Sequence, residues 1–173
     1  MDSVMPREKT DASAREAFSD LLERHRAIVF KVANTYCRHP EDRADLVQEI
    51  AAQLWRAWPG YDPARSFTTW MYRVALNVGI DFVRGHARQQ RHTVPLDEDL
   101  HDLADAQPTD HESAQLLRLL QGFVDRQPPL DRALLLLYLD ERPQREIAEI
   151  LGISETNVST KIGRLKQRIR DEL

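Results

Sequence analysis

From Phe67 to His92 the sequence FTTWMYRVALNVGIDFVRGHARQQRH returns its apolar residues at helical spacing over the whole stretch. At about 100° per residue it resolves into two faces. Phe67, Met71, Val74, Ala75, Val78 and Phe82 form an apolar stripe, which predicts a core face. Trp70, Arg73, Asn77, Asp81, Arg84 and Arg88 fall on the other side. An aromatic ring, an amide and three guanidinium groups suit unpaired nucleic acid: the ring stacks on bases, the amide meets a base edge, and the cations hold phosphates. The plainer reading is a solvated face with one half-buried tryptophan. Either way, this stretch is a long helix and leaves no room for a strand.

The other segments agree with an all-α chain. An amphipathic helix is expected from about Asp11 to Arg38, with Phe18, Leu21, Leu22, Ile28, Val29, Val32, Ala33 and Tyr36 inward. His39-Pro40 breaks it. A second helix is expected from about Glu41 to Trp58, with Leu46, Val47, Ile50, Leu54 and Trp58 inward and showing Asp45, Gln48, Glu49 and Gln53. Pro59-Gly60 ends it. After His92 the periodicity stops, and Thr93 to His111 reads as an acidic, proline-bounded linker between two small domains. Residues 1–10 read as a disordered tail, 11–92 as the first domain and 112–173 as the second. Within the second, a helix from Glu112 to Arg126 is expected to bury Leu116, Leu117, Leu119, Leu120, Phe123 and Val124.

Arg142 to Leu173 carries a sharper pattern. Pro143 fits a first helical turn, Gly152 supplies a left-handed residue after Ile147, Ala148, Ile150 and Leu151, and Ser154 can cap the next helix. Val158, Ile162, Leu165 and Ile169 make that helix's inward stripe. Helix, glycine turn, helix is the helix-turn-helix layout. Its second helix shows Asn157, Thr160, Lys161, Arg164 and Arg168, which can meet base edges and phosphates. The alternative is an ordinary helical hairpin with a basic surface.

A net charge of −4 argues against a nucleic-acid binder only if the charge is spread evenly. It is not. Arg84, Arg88 and Arg91, and then Lys161, Arg164, Lys166, Arg168 and Arg170, form two acid-free segments. Between them Asp97, Glu98, Asp99, Asp102, Asp105, Asp110 and Glu112 stand without a Lys or Arg. The single cysteine, Cys37, excludes an internal disulfide or a cysteine-based zinc site. Six histidines show no paired metal spacing, and neither a phosphate loop nor a nucleophile elbow is present, so no enzyme and no cofactor is expected. The apolar run Ala133 to Leu139 is too short to span a bilayer, and the N-terminus lacks the apolar core of a signal peptide. A cytoplasmic chain without membrane insertion is expected.

Taken together, these stretches resemble the bacterial extracytoplasmic-function (group IV) sigma factors of RNA polymerase. D-L-V-Q-E at Asp45 to Glu49 is similar to the family's polymerase-docking segment. W-M-Y-R-V-A-L-N at Trp70 to Asn77, with Asp81 and Arg84, is similar to its −10 segment. E-I-A at Glu146 to Ala148, L-G-I-S at Leu151 to Ser154, Val158 and Arg164 resemble its −35 helix-turn-helix. The resemblance implies region two over the first domain and region four over the second. It also implies promoter DNA as ligand and core RNA polymerase as partner, through the largest-subunit coiled coil and the flap, with an anti-sigma factor as regulator. Asp45, Gln48, Glu49 and Gln53 would face the polymerase. Trp70, Arg73, Asn77, Arg84 and Arg88 would meet the −10 element, with Asn77 lining a pocket for a flipped base. Asn157, Thr160, Lys161, Arg164 and Arg168 would meet the −35 element. The acidic linker would thread toward the polymerase's basic RNA path. Ser159, Gly163 and the segment ERPQRE depart from the family pattern, which leaves the preferred −35 sequence open. A two-domain regulator that binds duplex DNA without polymerase is the alternative.

Overall fold

A computed structural model describes residues 7–90 and 111–173. Among them are eight α-helices and no strand: α1 (Arg7–Arg24), α2 (Arg26–Tyr36), α3 (Pro40–Ala57), α4 (Phe67–Gln90), α5 (His111–Asp125), α6 (Pro129–Leu139), α7 (Gln144–Leu151) and α8 (Glu155–Glu172). The acidic stretch that separates the two halves lies outside the described residues apart from its last member, His111, which opens α5.

α2, α3 and α4 form the first bundle. Leu46, Ile50 and Leu54 on α3 are fully buried, as are Val32 of α2 and Met71 and Ala75 of α4, where the three helices pack together. Each aliphatic side chain removed from water in this way contributes roughly 1.5–3 kcal/mol. Pro40 starts α3 at the position where its missing N–H costs nothing. A 3₁₀ turn, Trp58–Gly60, then lifts Trp58 over the start of α4.

Three expectations change here. The long first helix starts at Arg7 and is two helices, because His25 leaves helical geometry with φ −114° and ψ 16°. The break lets Phe18 reach the rings of Trp55 and Trp58 while α2 keeps its own stripe in the core. The buried face of α4 is also rotated from the expected stripe. Tyr72, Leu76 and Ile80 are buried, whereas Val74, Val78 and Phe82 are half-buried. α2 and, from the second bundle, α6 and α7 all pack on α4: Gly79 lies against Tyr36 and Val32 of α2, and the Tyr72 hydroxyl donates to Asp140, just past α6, at 2.7 Å. Lastly, Leu116, Leu117 and Leu119 of α5 are exposed, and Phe123 is its one buried residue among those described.

The second bundle closes around Phe123, Leu134, Leu137, Ile147 and Val158. α6 ends in a left-handed residue at Glu141, φ +56°, with the Arg142 N–H bonded to the Leu137 carbonyl at 3.1 Å. Glycine normally occupies that place. α7 ends as its sequence predicts, with Gly152 at φ +67°, and the Ser154 hydroxyl caps α8 by accepting from the Asn157 N–H at 3.1 Å. The two bundles share one continuous apolar cluster.

Candidate nucleic-acid interface

α4 presents Arg73, Asn77, Asp81, Arg84 and Arg88 on its exposed side. Trp70 is half-buried in a group of rings, with its centroid 5.1 Å from Tyr61, 5.5 Å from Phe67 and 6.2 Å from Trp58. The turn holds that ring in place without covering it, and a held ring loses little entropy when a base stacks on it.

Next to this face lies an open hollow of about 480 Å³ between α3 and α4. Val74, Val78 and Phe82 give it apolar surface, and Asn77, Asp81 and Glu49 give it polar edges. Such a lining suits a planar ring with hydrogen-bonding edges. Its carboxylates repel phosphate, so a nucleotide would enter base first. Gln53 also lines it, and Arg56 donates to Gln53 at 3.1 Å and lies 3.7 Å from Glu49. Residues expected on the polymerase and residues expected on DNA therefore share one wall. Asp45, Gln48 and Glu49 are exposed on α3, opposite its buried leucines and Ile50.

The second surface is the outer side of α8. Asn157, Thr160, Arg164 and Arg168 are exposed there, and Lys161 is half-buried. Two of the three cations expected on phosphates already have contacts inside the bundle. Lys161 sits 3.5 Å from the Asp131 carboxylate. Arg168 donates to the side chain of buried Gln127 at 2.8 Å and lies over the Phe123 ring. Arg164 is exposed. The first turns of α8 and the start of α7 frame a shallow hollow of about 310 Å³ lined by Gln144, Glu155, Thr156, Ser159 and Thr160. Glu155 and Thr156 were not singled out in the sequence, and Ser159 and Gln144 (in ERPQRE) only as departures from the family pattern. Their signal is position alone, since Thr156, Ser159 and Thr160 follow helical spacing on the side away from Val158 and Ile162.

A Cβ placed on Gly163 would meet nothing within 4 Å. Gly163→Ala is therefore expected to stabilise the chain by about 1 kcal/mol, through helix propensity alone. A thermal midpoint that does not rise would mean that a side chain at this point of α8 meets a neighbour.

Cys37 is buried beside the end of α2, and burial, then the nearby Asp42, pushes its thiol up to about 11, so it carries little thiolate near neutral pH.

A long helix with Arg73 and Asn77 on its exposed side and a half-buried Trp70 near its start, beside a helix-turn-helix in a second bundle, defines a two-bundle all-helical chain. Comparison with known proteins narrows the class. Residues 21–89 match the family description Sigma-70 region 2, and residues 117–169 match Sigma-70, region 4. The chain is 30% identical to the ECF RNA polymerase sigma factor SigM of Bacillus subtilis over 127 residues, covering 73% of this chain and 76% of SigM. It is 28% identical to the ECF RNA polymerase sigma factor SigE of Mycolicibacterium smegmatis, covering 94% of this chain but only 64% of SigE. Its fold resembles that of CnrH, solved in complex with the cytosolic domain of CnrY, with a TM-score of 0.65 and 22% identity over 92% of both chains. The chain belongs to the extracytoplasmic-function sigma factors of the sigma-70 family.

Proposed function

We propose that the chain acts as an alternative sigma factor. It binds core RNA polymerase through the exposed side of α3, takes unpaired −10 bases on α4, and reads −35 duplex with α8. No bond chemistry by this chain is needed: base capture is selective because unpairing costs a few kcal/mol, which only a fitting base recovers. The observation that carries the reading is the hollow joining Asn77 and Asp81 of α4 to Glu49 and Gln53 of α3. It puts the proposed base pocket against the proposed polymerase face, so docking and base capture are neighbours.

The protein partner is proposed to be of the anti-sigma kind, as the family resemblance implies. CnrH is described with the cytosolic domain of CnrY, and the exposed Leu116, Leu117 and Leu119 offer an apolar face of the sort a protein partner covers. A cytoplasmic location follows from this role. Among the described residues no helix is long and apolar enough to cross a membrane.

Run-off transcription with purified core polymerase on a pool of promoters tests the reading. Asn77→Ala is expected to cut promoter-specific transcript by roughly tenfold or more while core binding persists. Glu49→Ala is expected to lose transcript together with core association. Absence of core binding, alongside tight dimeric operator binding by the protein alone, would assign the chain to the stand-alone regulators.

A further inference from the structure

The hollow between α3 and α4 is bordered by cations on both sides. On α4, Arg73 and Arg84 stand on the same exposed side as Asn77. On α3, the residues that line the hollow are Glu49, Gln53 and Ala57. α3 holds two arginines and no lysine, and the two arginines have different surroundings. Arg43 turns toward α2, where it donates to the Asn34 side chain at 3.1 Å and to the Arg38 carbonyl at 3.3 Å. Arg56 turns toward the hollow. It donates to Gln53 Oε1 at 3.1 Å, and its guanidinium lies 3.7 Å from the Glu49 carboxylate. Glu49, Gln53 and Arg56 stand at i, i+4 and i+7, so helical spacing puts them on one face.

The contact between Arg56 and Glu49 is of a kind that exchanges. Both side chains are more than half exposed, and 3.7 Å is long for a charge-assisted hydrogen bond. Exposed pairs of this sort contribute little and are screened by salt. A phosphodiester offers the same guanidinium two oxygens that fit its planar fork. A base lowered into the hollow leaves its own phosphate at the mouth, where the carboxylates of Glu49 and Asp81 repel it. A cation on the α3 side relieves that repulsion, and Arg56 is the α3 cation within reach.

We propose that Arg56 is a binding residue for the unpaired strand: when a base occupies the hollow, its guanidinium leaves Glu49 and takes the phosphate of that nucleotide. The assignment deepens the promoter reading and rests on it for the ligand. It also couples the two proposed surfaces. Glu49 is the carboxylate proposed to face polymerase, so docking there frees Arg56 for the strand, and a captured strand in turn frees Glu49 for polymerase. The plainer role of Arg56 is a cation in the last turn of α3, which affects stability and involves no strand.

The test is fluorescence anisotropy of the full chain with labelled single strands of random sequence, about 12 nucleotides long. It is read over a series of salt concentrations, beside thermal unfolding of each variant. Asn77→Ala should weaken binding and leave the salt slope in place, because an amide meets a base edge and carries no charge. Arg56→Ala should take about 0.7 off the slope of log affinity against log salt, which at about 0.1 M salt is a fivefold loss. Arg56→Lys keeps the charge and should keep most of that slope. Glu49→Gln should raise strand affinity by about two- to fivefold through release of Arg56, and this gain should vanish when Arg56 is already alanine. A salt slope unchanged in Arg56→Ala, whether or not its melting temperature falls, would overturn the assignment. So would a Glu49→Gln gain that survives the loss of Arg56, since Glu49 would then act by repulsion alone. Strand binding that Asn77→Ala does not weaken would instead count against the promoter reading, and Arg56 would lose its ligand with it.

Discussion

Gly79→Val should lower the stability of the chain by about 3 kcal/mol, as overpacking of a tight core does. In thermal unfolding that is a fall of roughly 6–12 °C for a chain of this size. A Cβ on Gly79 would lie 2.6 Å from Tyr36 Cδ2, 2.9 Å from Cε2 and 3.3 Å from Val32 Cγ1. Ordinary carbon contacts begin near 3.5 Å, so something must move, and neither neighbour moves cheaply. Val32 is fully buried, and Tyr36 is held at its far end by the hydrogen bond to Pro129. The two γ-carbons of valine add to the crowding. The matched control is Gly85→Val on the same helix, where a Cβ would meet nothing within 4 Å. That variant should change stability only by the helix-propensity difference, a small gain because valine is slightly favoured over glycine. Equal melting of the two variants would show that α2 and α4 are not in close contact at Gly79.

The sequence displayed whatever short-range rules determine. Gly152 and Ser154 could be read as the end of one helix and the cap of the next because left-handed geometry and N-cap bonding are local properties. Leu46, Ile50 and Leu54 could be read as core because helical spacing within one element fixes a face. What periodicity cannot supply is the identity of the element lying opposite. Tyr72, Leu76 and Ile80 are buried on a helix that α2, α6 and α7 all pack against, and nothing near them in the chain announces this. The leucines of α5 show the converse. Their spacing makes an apolar face, yet the described residues leave Leu116, Leu117 and Leu119 exposed. The candidate site divides in the same way. Asn77, Arg73 and Arg164 could be placed on exposed faces from the sequence, whereas the internal contacts of Lys161 and Arg168 depend on Asp131 and Gln127, which are distant in the chain.

Trp58→Ala should cost about 3 kcal/mol, the lower end for deleting a packed tryptophan, because the side chain is half-buried. Its effect on promoter melting should exceed what lost stability explains. Trp58 is the ring that joins the others: Phe18 lies 5.4 Å away, Tyr61 5.3 Å, Trp70 6.2 Å and Phe67 6.4 Å. Phe18 belongs to α1, and Phe67 and Trp70 to the start of α4, so one ring ties the first helix to the proposed −10 face. Offset and edge contacts of this kind are worth about 0.5–1.5 kcal/mol each beyond the area they bury. With the ring gone, Trp70 keeps Tyr61 and Phe67 but loses the neighbour that fixes its position from the α3 side, and a mobile ring must give up entropy to stack on a base. Trp58→Phe restores an aromatic of smaller size and should recover most of the stability. Transcription from a promoter opened beforehand as a mismatch bubble separates the two effects. If Trp58 acts by positioning Trp70, Trp58→Ala should be severely impaired on closed duplex and largely restored on the bubble. Equal impairment on both templates would mean that Trp58 supports the fold and leaves strand opening to other residues.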